Sequence, residues 1–213
     1  MHIRNRRPTP EEVDCRYCTE YFPTVGCEAL DCIIGDTRSV SPPERIAAGV
    51  VGYEEIVANS FYYNPELIRR LQKLIKNFPG TMWADELHEQ RFNYCISQCE
   101  ETFVSPAYYA AVYLLTSNDN LYKRSSRCFL KSRLYLKDFR IQGISPYNYT
   151  LFAYARLLYS GKTNLPMTEL VDGWTVPPEA FRFIVNAVII AKHGVETLNI
   201  TKTTTIKDIE TEE

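Results

Sequence analysis

The sequence has no apolar run long enough to cross a bilayer. Its longest, Phe183 to Ala191, is interrupted by Asn186 and falls far short of the roughly 20 residues that a spanning helix needs. Nothing in the sequence marks secretion either. The start Met1-His2-Ile3-Arg4-Asn5-Arg6-Arg7-Pro8 is basic, but no apolar stretch of leader length follows it. Nor does one sign of charge dominate: 24 Lys and Arg stand against 26 Asp and Glu, a net charge of -2. That balance argues against a protein that coats nucleic acid over its whole surface, though it leaves local patches free to differ. No recognised catalytic constellation is present either, since His88 has no companion that would place it in a triad or a zincin helix. The expectation is a cytoplasmic protein without a membrane partner.

What is present is a chain able to build a core. It has 213 residues, of which 45% are apolar and 13% aromatic, enough for one domain, or for one domain and a small module. Helix starts are legible where a capping residue directly precedes proline: Thr9-Pro10, Ser41-Pro42, Asn64-Pro65, Ser105-Pro106 and Ser145-Pro146. The side-chain oxygen accepts from an orphan backbone N–H, and proline at the first helical position sacrifices no helical bond. Thr9 with Glu12 and Ser41 with Glu44 also have capping-box spacing.

Behind these caps, apolar residues recur with helical period. Leu67, Leu71, Leu74 and Phe78 form the clearest stripe; others run through Ile46, Val50, Tyr53 and Val57, through Phe92, Cys95, Ile96 and Cys99, and through Tyr108, Val112 and Leu115. Breaks are expected at Asn59-Ser60, Pro79-Gly80, Ser117 to Asn120 and Ser160 to Lys162. A last helix from Pro177 to His193 should close at Gly194 in a Schellman motif. Residues 133–143 and 196–206 alternate in a way that fits a short strand pair. The fold class expected is therefore mainly α. Residues 1–40 form a cysteine-rich knuckle, 41–195 a domain of about six helices, and 196–213 a C-terminal extension whose acidic end frays.

Seven cysteines, an odd number without an export signal, point to thiols or metal rather than to a disulfide framework. Cys15, Cys18, Cys27 and Cys32 are spaced C-x2-C-x8-C-x4-C. Four thiolates so placed can close a tetrahedral zinc site, and ligation would supply folding free energy to a segment too short for a core of its own. Such a site is structural, because four sulfurs leave no open position for substrate; disulfides or unligated thiols are the alternatives. His88, Phe92, Cys95 and Cys99 share a helical face that Cys128 can approach. Core thiols account for that group better than a second metal site. Asp85, Glu86, His88 and Glu89 fit a solvated helix turn.

Charge is the third feature. Between residues 120 and 140, Lys123, Arg124, Arg127, Lys131, Arg133, Lys137 and Arg140 face one acid, Asp138. The local net is +6, which leaves -8 for the other residues. A helix starting near Asn120 would carry Lys123, Arg124, Arg127 and Lys131 on its solvent side. Tyr122, Tyr135 and Phe139 interleave with the bases, so the segment combines cations for phosphates with rings for nucleobases. An ordinary solvated face is the competing reading. Residues 165–186 also have helix-turn-helix spacing. Their second helix, however, offers only Arg182, Asn186 and, further on, Lys192 on an apolar rod, which marks it as a core helix rather than a reader of base edges.

Three stretches, Ser105-Pro-Ala-Tyr-Tyr-Ala-Ala-Val-Tyr-Leu-Leu-Thr, Tyr149-Thr-Leu-Phe-Ala-Tyr-Ala-Arg-Leu-Leu-Tyr-Ser-Gly and Phe181 to Gly194, resemble uncharacterised proteins carried by phages and conjugative elements of gut Firmicutes. The cysteine knuckle is similar to short segments of the same group. The resemblance covers residues 100–195 and the knuckle; it implies a bacterial cytoplasmic accessory protein and transfers no catalytic residue.

The function expected is a non-enzymatic, zinc-stabilised accessory protein that engages nucleic acid or an acidic protein surface through its basic segment. One alternative is an inhibitor of a host defence nuclease complex of the anti-CRISPR kind, with the acidic remainder imitating nucleic acid. Another is an enzyme using His88 or a reactive cysteine, Cys95 or Cys128, which would need a lowered thiol pKa.

Overall fold

The computed structural model describes residues 45–46, 51–61, 65–100, 104–131, 133–160 and 167–201. Cys15, Cys18, Cys27 and Cys32, and with them the expected 1–40 knuckle, lie outside the described residues, as do the caps at Thr9, Ser41 and Asn64 and the end of the 196–213 extension.

Eight α-helices are bounded among the described residues: α1 Tyr53–Phe61, α2 Ile68–Lys76, α3 Glu86–Ser97, α4 Pro106–Thr116, α5 Asp119–Ser125, α6 Pro146–Tyr159, α7 Met167–Val171 and α8 Pro178–His193. Their starts follow capping chemistry. Ser105 and Ser145 each accept a bond from a backbone N–H three residues on, of Tyr108 and Asn148, both at 3.2 Å, with proline in the first turn. Asp85 caps α3 and Asn118 caps α5 in the same way, at 2.7 and 2.9 Å. Pro65 opens a 3-10 turn, Pro65–Leu67, that leads into α2.

The core forms around α4 and α8. Ala110 to Thr116 of α4 are all buried, and so are Phe183 to Ile190 of α8. A helix apolar on every side must be enclosed; α4 packs against α3, α5, α6 and α8, while α8 also packs against α1. Burying each large aliphatic side chain here contributes about 1.5–3 kcal/mol.

Three features differ from the sequence reading. Helix α1 does not break at Asn59-Ser60 but runs to Phe61, because Ser60 is held against α8: its hydroxyl lies 3.0 Å from His193 Nε2 and its carbonyl accepts from Lys192. The expected strand pair is absent from residues 133–143 and 196–201. The first forms a single antiparallel bridge, Phe129 with Leu134, then a 3-10 turn, Leu136–Asp138; the second forms the 3-10 turn Val195–Asn199. Their alternation serves instead to bury Leu134, Phe139 and Leu198, with Phe139 stacked on Phe152 at 3.8 Å; residues 202–206 lie outside the described set. Finally, Gly194 does not make a Schellman close. At φ 98° and ψ 173° it occupies a region open essentially to glycine alone, while its N–H completes an ordinary helical bond to Ile190.

Candidate binding surface around the basic segment

The basic segment is not one helix. Helix α5 stops at Ser125, and the Cys128 N–H turns back to the Ser125 carbonyl at 2.7 Å. Beyond it the chain forms a tight loop closed by the Phe129–Leu134 bridge, with Leu130 N–H bonded to Arg133 O and Tyr135 N–H to Cys128 O. Lys123 and Arg124 are therefore helical, Arg127 lies in the turn, Lys131 and Arg133 are on the loop, and Lys137 and Arg140 are in and just after the 3-10 turn.

The seven bases also separate by role. Arg124 is half-buried and committed internally. It donates to Asn120 Oδ1 at 2.9 Å and to the carbonyls of Arg140, Gln142 and Gly143 at 3.1, 2.7 and 2.9 Å. It clamps the loop that carries Arg140. Lys123 pairs with Asp119 one turn back at 2.7 Å, and Lys131 pairs with Glu100; both pairs are exposed and contribute at most about 1 kcal/mol each. Arg127, Arg133, Lys137 and Arg140 are exposed and have no side-chain partner among the described residues. Of the interleaved rings, only Tyr135 stands out, at 40% exposure. Phe139 is taken by Phe152, and Tyr122 lies between Phe129 and the Arg91 guanidinium.

The other chemistry-bearing groups are core elements. His88 is fully buried, not on a solvated turn, because Asp85 rather than His88 faces outward at the start of α3. Its Nδ1 accepts from the Ala84 N–H at 3.1 Å, and its Nε2 lies 2.9 Å from the Tyr113 carbonyl. A backbone N–H can only donate and a carbonyl can only accept, so the ring is neutral with its proton on Nε2. Burial depresses its pKa to about 4. Burial likewise pushes the Cys95 thiol up to about 12 and the Cys128 thiol up to about 11, the opposite of what a nucleophilic cysteine needs. Among the described residues no group of three or more His, Cys, Asp or Glu is placed to hold a metal ion, and no helix is long and apolar enough to cross a membrane.

Asn186 and Arg182 of α8 are committed to the interior as well. Asn186 is fully buried: it accepts from the Tyr53 hydroxyl at 2.6 Å and donates to Tyr113 Oη at 3.0 Å and to Met82 O at 3.3 Å. Arg182 donates to the carbonyls of Thr81 and Trp83. Neither is free to read base edges. One surface feature is not among the residues singled out from the sequence: Trp174, directly after Asp172-Gly173, is 97% exposed. A tryptophan directly after Asp-Gly was the available signal. No protein-family model matches the chain, and neither the curated proteins nor the solved structures contain a match to it.

Proposed function

We propose that this is a non-enzymatic binding protein whose basic segment contacts a polyanion, with the phosphates of nucleic acid as the chemistry it fits best. The observation that carries this reading is the set of four exposed cations, Arg127, Arg133, Lys137 and Arg140, with no carboxylate paired to them among the described residues. They sit on loops held in shape by Arg124 and by the Phe129–Leu134 bridge, so little ordering is needed on binding. Tyr135 supplies a ring beside them for stacking on an unpaired base. The burial of His88, Cys95 and Cys128 supports a binding role over a catalytic one at those positions. A zinc ion on Cys15, Cys18, Cys27 and Cys32 would stabilise the N-terminal segment, and the resemblance to accessory proteins of mobile elements supplies the setting.

The test is a titration of the full chain with labelled single-stranded and duplex nucleic acid at two salt concentrations, beside an Arg127→Glu, Arg133→Glu, Arg140→Glu variant. Binding that weakens steeply with salt and disappears in the variant supports the reading; neutralising about three or four phosphates gives a log–log slope of about -3 on duplex. No binding at low salt overturns it and makes the basic segment a solvated face or a dock for an acidic protein surface.

A further inference from the structure

Trp174 is 97% exposed, a rare state for a residue that is ordinarily well buried. The loop beneath it is rigidly built. Asp172 accepts from the Trp174 N–H at 3.0 Å, from the Thr175 N–H at 3.3 Å and from the Thr175 hydroxyl at 2.6 Å, while its carbonyl accepts from Val176 N–H at 3.0 Å. From below, Arg70 donates to the carbonyls of both loop ends, Leu170 and Val176, and its guanidinium lies 4.1 Å from the centre of the Phe181 ring. The apolar ends are anchored as well, with Leu170 and Val176 fully buried. The indole is therefore displayed on a fixed support, so a ligand stacking on it would not have to order the loop first.

The loop's charge identifies the ligand class. The described stretch from Met167 to Glu179 carries the exposed acids Glu169, Asp172 and Glu179 and no base, and Arg70 is turned inward onto the loop carbonyls. Thr175 and the Trp174 amide hold the Asp172 carboxyl below its ordinary value, so it is ionised at neutral pH. The ionised Asp172 at the base of the loop, with Glu169 and Glu179 exposed on the flanking helices α7 and α8, disfavours phosphates and anionic lipid headgroups but favours a guanidinium or ammonium, which the face of tryptophan also binds best among aromatic rings. We propose that the Leu170–Val176 loop docks a partner protein through an arginine- or lysine-bearing peptide segment, with one cation stacked on Trp174 and neighbouring cations against Glu169 and Glu179. This surface is distinct in charge from the basic segment and does not depend on the polyanion reading.

The chain has two tryptophans. Trp83 is half-buried against His88, Phe92 and Tyr113, so the difference in emission between wild type and Trp174→Phe reports the loop alone. Titration with an oligo-arginine peptide should produce a saturable change in that difference. Affinity should fall by about ten-fold or more in Trp174→Ala, the loss expected of a central aromatic anchor, and also in Glu169→Gln with Glu179→Gln. The saturable Trp174 response should persist in the Arg127, Arg133, Arg140 variant, which separates failure here from failure of the polyanion reading. Circular dichroism of Trp174→Ala should match wild type, because the side chain supports nothing beneath it. Three results would overturn the proposal: no saturable change, an equal response to uncharged lipid vesicles, or an emission shift driven by protein concentration alone, which would mark a contact between copies.

Discussion

His88 Nε2 donates to the main-chain oxygen of Tyr113 across 2.9 Å, in the interior between α3 and α4. With Ala84 N–H donating to Nδ1, the imidazole joins three backbone segments in one tautomer, and protonation would set two donors against each other. The depressed pKa makes a pH prediction. In the folded state His88 titrates near 4, in the unfolded chain near its ordinary 6.5. Between those values the unfolded chain binds the additional proton, so stability is fully present above about pH 6.5 and is lost as the pH falls toward 4. The loss expected from His88 is about 3 kcal/mol. His193, which is also pushed down by burial, acts in the same direction. Urea midpoints measured from pH 7.5 to 4.5 should decline, and the decline should be clearly shallower in His88→Gln. A flat profile in the wild type would show that His88 is not held neutral.

The Tyr53–Asn186–Tyr113 network lies wholly in the core, where each deletion leaves a partner without a bond. Asn186→Ala strands the Tyr53 hydroxyl and removes one of the two donors to the Met82 carbonyl. Its cost should be about 2–3 kcal/mol, a fall in Tm of about 5–10 °C for a chain of this size. Tyr53→Phe should cost less, since only the Asn186 oxygen is left unpaired. Additive effects in the double variant, measured by thermal unfolding, would show the two side chains to be energetically independent and would contradict the geometry.

These cases show which features the sequence exposes. Ser105-Pro106 and Ser145-Pro146 were legible because a cap acts through its immediate neighbours, and the stripe of α8 was legible because its period persists over 16 residues. Asn186 looked like a polar interruption of an apolar run; its partners Tyr53 and Met82 are more than a hundred positions away. The helix expected through Lys131 failed for a similar reason. Charge period alone indicated a continuous face, whereas the turn at Ser125 to Cys128 is imposed by burial of Cys128, Leu134 and Phe139. Exposure itself is a tertiary property, so the inward position of Arg124 is not marked locally, and for Trp174 the only local signal is the Asp-Gly turn that precedes it.

The zinc site proposed on Cys15, Cys18, Cys27 and Cys32 makes a prediction independent of the described core. Purified protein should carry about one zinc per chain, the ratio of a four-thiolate structural site. A strong chelator should remove it and make residues 1–40 protease-sensitive. The α4–α8 core should persist by circular dichroism, since metal ligation supplies folding free energy only where the ion binds. Substituting Cys15 and Cys18 with serine should reproduce the chelated state. Elemental analysis showing no metal in protein purified under reducing conditions would count against the site, and mass shifts of paired cysteines would assign the thiols to disulfides instead.

Arg124 separates positioning from contact within the basic segment. Its guanidinium is bonded to three carbonyls of the Arg140 to Gly143 loop, so Arg124→Met should loosen that loop and move Arg140 without removing a phosphate contact. Arg127→Gln removes an exposed cation and leaves the loop intact. Arg127→Gln should therefore reduce the salt slope of nucleic-acid binding by about 1, with weaker affinity on every sequence and unchanged Tm. Arg124→Met should lower Tm by about 2–4 °C, corresponding to about 1 kcal/mol, and should raise hydrogen exchange at residues 140–143. Arg124→Lys should rescue little, because an ammonium cannot span three carbonyls as the planar fork does. If Arg124→Met instead reduced the slope with Tm and exchange unchanged, Arg124 would be a contact residue and the clamp would not be its role.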